Sequence, residues 1–137
     1  MASEARITTS LQIKKGNLFY QNQPQAFIAD MEGDKGPSPG AITVGTAGTD
    51  VDFSELAQPG LCRIMNLDEA NFVTFGIWDG EFHPLGELLP GESYVLRISR
   101  ELGSEFGVGT GTSGSGNTLR FKADTAACDV LVEAFEA

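Results

Sequence analysis

The chain has 137 residues, with 19 acidic and 9 basic side chains, 17 Gly, 6 Pro, two Cys and a single His, a composition that fits one domain of ordinary size. Its formal charge of -10 and pI near 4.3 repel phosphate polymers, so sequence-independent binding to DNA or RNA lacks its usual driving force. Two cysteines are too few for a disulfide-dense secreted scaffold, and one histidine excludes a multi-histidine metal site.

The start of the chain is polar and lacks the apolar stretch of a signal peptide, and nowhere do about 18 uncharged apolar residues run together. The expectation is synthesis in the cytoplasm and no membrane span. Residues 6–13 place Ile7, Thr9, Leu11 and Ile13 at period two, which reads as a strand or as an arm seeking one. Residues 1–16 are therefore read as an N-terminal arm or first strand, and 17–137 as a single β-sandwich domain. Residues 14–17 are a turn, and the apolar runs 18–20 and 25–29, separated by Gln21-Asn22-Gln23-Pro24, fit a hairpin. Residues 32–40, which hold Pro37 and Pro39 but no large apolar side chain, read as an exposed loop able to contact a partner.

Extended pattern resumes at 41–45, Gly48-Thr49-Asp50 turns, and Val51-Asp52-Phe53 begins another short run. Residues 61–67 alternate, 68–71 turn, 72–78 are rich in β-formers, and Asp79-Gly80 signals a two-residue hairpin, which together predict an antiparallel meander. After the Pro90-Gly91-Glu92 turn, Tyr94, Leu96 and Ile98 share a face that should meet the core. Residues 103–117 are mostly Gly, Ser and Thr and read as a mobile loop, with Phe106 and Val108 as its apolar contact candidates. Residues 118–122 read as a strand; 128–135 fit a strand or a short helix, and strand is preferred because Val130, Val132 and Phe135 favour β. With no long amphipathic segments between strands, the fold class is all-β: an antiparallel sandwich or jelly-roll-like barrel with long Gly-rich loops.

No residue set assembles into an active site. The run 109–114 matches G-x-G-x-x-G, but no helix follows to receive a pyrophosphate, so no cofactor is expected. Asp30, Glu32 and Asp34 begin like a calcium loop that then fails, with Lys35 where Gly is required and Ala41 where the bidentate Glu belongs. His83 would have to serve any catalytic triad alone and is more simply a surface or interface residue at a strand end. Trp78, Tyr94 and Tyr20 raise the alternative of a sugar-stacking platform, with Trp78 near a rim, although strand aromatics usually belong to the core. Cys62 and Cys128 are expected to be free, buried thiols; a disulfide would need their Cα atoms within about 7 Å.

The succession Leu61-Cys62-Arg63-Ile64-Met65-Asn66-Leu67-Asp68, Asn71 to Gly76, Phe82-His83-Pro84-Leu85, Leu89-Pro90-Gly91-Glu92 and Leu119 to Phe135 resembles small virion structural proteins of tailed bacteriophages, over about residues 59–137. The resemblance implies a non-enzymatic protein of the virion, favoured on the outer capsid surface, that decorates or cements the shell. Its partners would be the major capsid protein or other virion proteins and further copies of itself, with a trimer favoured. The alternatives are a tail, fibre or head-tail component, or a carbohydrate-binding β-sandwich module. The expected contact residues are Ile7, Leu11 and Ile13 of the arm, Pro37 and Pro39, Trp78, His83, and Phe106 and Val108.

Overall fold

Every regular element of the computed structural model, which describes residues 4–99 and 118–137, is a β-strand, and every strand pair is antiparallel. The chain divides into two compact units, the first ending at Glu32 and the second beginning at Gly33. The first is a ribbon made of two separate two-stranded sheets. β1 (Ala5–Thr9) pairs with β4 (Gln25–Ala29), and β2 (Gln12–Lys15) pairs with β3 (Leu18–Gln21) around the tip at Gly16-Asn17. The apolar runs 18–20 and 25–29 therefore do not pair with each other; each finds its partner upstream. Pro24, which has no N–H to give a ladder, lies in the break between them. The N-terminal unit thus also holds β3 and β4, which lie beyond the arm expected over 1–16.

The second unit is an antiparallel β-sandwich. Its strands are β5 (Ser38–Val44), β6 (Thr49–Asp50), β7 (Pro59–Asn66), β8 (Val73–Trp78), β9 (Phe82–Leu88), β10 (Ser93–Arg97), β11 (Thr118–Ala123) and β12 (Cys128–Glu136). They form two four-stranded sheets in the orders β10-β7-β12-β5 and β6-β11-β8-β9. The core follows from alternation: Cys62 and Ile64 of β7 lie opposite Ala134 and Val132 of β12, and all four are buried. Phe75, Phe121, Val73 and Leu119 come from the other sheet, and Val51, Phe53 and Leu56 fill in from the segment between β6 and β7. The 128–135 segment is a strand because its inward residues complete this face.

Several local expectations change. Ser38 and Pro39 belong to β5 rather than to a loop, paired with Ala134 and Glu133 of β12; Pro39 is tolerated because β5 is an edge strand. Thr49 and Asp50 form the short strand β6 on β11 rather than a turn. The turn between β8 and β9 spans Asp79-Gly80-Glu81, since Trp78 pairs with Phe82. On β10 only Ile98 just beyond the strand is fully buried; Leu96 is half-buried and Tyr94 stays exposed beside the Phe75 ring, because β10 is the edge strand of its sheet.

Asn66 fastens one sheet to the other. Its fully buried side chain donates from Nδ2 to the carbonyls of Asn71 (2.9 Å) and of Leu88 on β9 (3.1 Å), and Oδ1 accepts from the Asp68 N–H (2.9 Å). Its backbone pairs with Gly91 and Glu92. There Glu92 N–H donates to Leu89 O across a turn with Pro90 second and Gly91 third at φ 81°, the arrangement that requires glycine. Where β8 meets the β9 bulge, a Cβ on Gly76 would sit 2.0 Å from the His83 carbonyl oxygen, so only glycine lets the strands meet.

Candidate functional site

The feature that departs most from a soluble monomer is the ribbon. All residues of β2 and β3 are exposed, among them Ile13, Leu18 (58%), Phe19 (61%) and Tyr20, and Leu11, Phe27 and Ile28 are exposed as well. Register puts Ile13 opposite Tyr20 and Lys15 opposite Leu18 on one face, with Lys14 opposite Phe19 on the other. Of the expected arm contacts, Leu11 and Ile13 lie on this surface, while Ile7 is buried opposite Phe27. Leu18, Phe19, Phe27 and Ile28 are not among the contact residues expected from the sequence, and Tyr20 enters there only for sugar stacking; the two apolar runs that hold them read as a hairpin.

Pro37 lines a groove of about 600 Å³ with Asp34, Lys35, Ser38, Ser54 and Glu55. The Ser38 hydroxyl donates to Glu55 Oε2 (3.3 Å) across it. The Glu136 carboxylate fixes the neighbouring backbone, accepting from the Ala57 N–H (2.9 Å) and the Lys35 N–H (3.2 Å). Those bonds, Ala57 first, hold its pKa below the usual glutamate range. Pro39 lies opposite Glu133 in the sheet.

His83 Nε2 meets Asp79 Oδ1 at 2.8 Å, both side chains about half exposed. The hydrogen bond from His83, then that from the Glu81 N–H, lowers the Asp79 pKa. A triad would need a nucleophile beside this pair, and Ser93 lies on β10, in the other sheet. The two thiols offer no nucleophile either, because the thiolate is the reactive form. Both are free and buried; burial, with Glu133 second, pushes Cys62 up to about 12, and burial likewise raises Cys128.

Trp78 is not a free stacking platform. The Arg120 guanidinium covers its ring at 3.6 Å from the centroid and is anchored at 2.5 Å to the nearly buried Asp50. Trp78 and Tyr94 lie on different sheets, and Tyr20 belongs to the ribbon. Among the described residues, no three His, Cys, Asp or Glu side chains converge as a metal site, and no helix is long and apolar enough to cross a membrane. Phe106, Val108 and the glycine motif at 109–114 lie outside the described residues. No protein-family model matches the chain, and no curated protein matches it.

Proposed function

We propose that the protein is a non-enzymatic structural component of a tailed-phage virion that binds the capsid shell from outside as a decoration or cement protein. The observation that carries this reading is the exposed apolar ribbon joined to a sandwich with a filled core, since large exposed apolar surfaces on a soluble protein mark interaction sites. The strand orders β5-β12-β7-β10 and β6-β11-β8-β9 support a jelly roll, an architecture shared by viral capsid and lectin domains; this support is fold analogy. The acid excess favours assembly on a protein shell over adhesion to genomic DNA. Many copies on one shell act together, so each contact need not be strong alone.

The lectin-like alternative loses weight because Arg120 occupies the face of Trp78 and because Trp78 and Tyr94 lie on different sheets. Quantitative mass spectrometry of purified particles of the encoding phage tests the proposal. Hundreds of copies per particle are expected; three, six or twelve would move the protein to the tail or portal, and absence from the particle would end the virion reading.

A further inference from the structure

We propose that Asp79-Gly80 is a backbone-modification site, where the aspartate isomerises through a cyclic imide to a β-linked residue, and that His83 restrains the reaction by holding the Asp79 carboxylate. The reaction needs the next amide nitrogen to reach the side-chain carboxyl, and a Cβ on that next residue stands in the way. Asp79 is the only Asp or Asn in the sequence followed by Gly. Gly80 sits at φ 107° in the exposed turn between β8 and β9, and the place a Cβ would take has no neighbour within 4 Å.

The step consumes a neutral carboxyl. The Gly80 nitrogen adds to Asp79 Cγ and a C–N bond forms; the Cγ–OH bond breaks, and the hydroxyl leaves with the amide proton as water. Water then re-enters the imide. Addition at Cγ restores aspartate, whereas addition at the Asp79 main-chain carbonyl breaks its bond to the Gly80 nitrogen, leaving Gly80 attached through the side chain beside a free α-carboxylate. The β-linked product lengthens the backbone by one carbon in the turn that sets the pairing of Trp78 with Phe82.

An ionised carboxylate does not lose its oxygen in this way, so whatever keeps Asp79 ionised slows the step. His83 Nε2 lies 2.8 Å from Asp79 Oδ1, and the Glu81 N–H donates to the same oxygen at 3.2 Å. The Asp79 N–H donates in turn to the Glu81 carbonyl (3.2 Å), closing the turn. His83 is the first cause of the lowered Asp79 pKa and the only side chain acting on it; the other groups that lower it are the N–H groups of Glu81 and of Asp79 itself. His83 reaches this place from β9, where it pairs with Ile77, so the restraint exists only while the hairpin is folded.

This inference goes beyond the virion reading and does not depend on it. The test is ageing of the full chain over a range of pH, with peptide mapping by mass spectrometry for β-linkage at residue 79, in the parent, His83→Ala and His83→Phe. Circular dichroism at each pH confirms the sandwich. In the parent, the rate of β-linkage should fall as pH rises through the Asp79 pKa. In both variants that fall should come at higher pH, so that where the parent carboxyl is mostly ionised the variants react at least about threefold faster. On the acidic plateau, where the carboxyl is neutral in all three, the rates should agree, and in urea they should agree at every pH. Absence of β-linkage at 79 from every chain, or equal rates of folded parent and variants throughout, overturns the proposal. A gain that persists undiminished on the acidic plateau also overturns it, because it reports a loosened turn rather than a carboxylate that has lost its partner.

Discussion

Ile13 with Tyr20 in the ribbon and Ile64 with Val132 in the sandwich are both cross-strand pairs of large apolar residues, yet the first pair is about half exposed and the second wholly buried. The ladders are alike; what differs is that a second sheet of the same unit covers β7 and β12, whereas every residue of β2 and β3 is exposed. Strand formation and strand burial are thus separate properties of this chain. The first is set by local pattern, the second by what covers the strand.

The sharpest way to break the comparison is to delete the same ring from both regions. Phe121 is fully buried and packs 6.2 Å from the Phe75 ring, so Phe121→Ala should cost about 3–5 kcal/mol in urea unfolding of the sandwich. Phe19→Ala should change it by less than about 0.5 kcal/mol.

Within the sandwich, Arg120 is only 15% exposed and Asp50 4%, and Arg120→Met leaves that carboxylate without its cation and Trp78 without its cover. The expected loss is about 3 kcal/mol. Arg63, paired with Glu133 at 2.7 Å on the outer face, should lose no more than about 1 kcal/mol as Arg63→Met, because both side chains are partly solvated. Equal effects at the two sites would contradict the burial contrast. Asn66→Ala should cost about 1–3 kcal/mol by the same assay, since it strands two carbonyls and an N–H at the join between the sheets.

The smallest expected effect is a pH slope. Glu136 has its pKa lowered by folding, so its contribution is present above the ordinary glutamate range and is lost as pH falls through the folded value. Unfolding midpoints should therefore decline on acidification, and Glu136→Gln should flatten part of that decline. Asp68 and Asp79 shift in the same direction and should sustain the remainder.

Much of the sandwich was legible because its turns are chemically explicit: Pro90-Gly91 dictates a tight turn, and alternation from Leu61 to Leu67 dictates a half-buried strand. The strand at 128–136 was legible through its β-branched inward residues. Ser38-Pro39 was not, because composition argued for a loop while pairing with the long strand β12 extended β5 through it. Tyr94 misled for a related reason: periodicity gives the face a residue occupies and says nothing of how far along that face the opposing sheet extends. The ribbon's apolar residues were visible as strand formers, but alternation cannot distinguish a face meant for the chain's own core from one left for another molecule.

Hydrogen exchange of the full chain, read by mass spectrometry as a function of protein concentration, tests this separation most directly. The predicted result is slow exchange of β7, β8, β11 and β12 at every concentration, with amides of 5–29 exchanging fast at the lowest. Ribbon protection equal to that of the sandwich at the highest dilution would contradict the account.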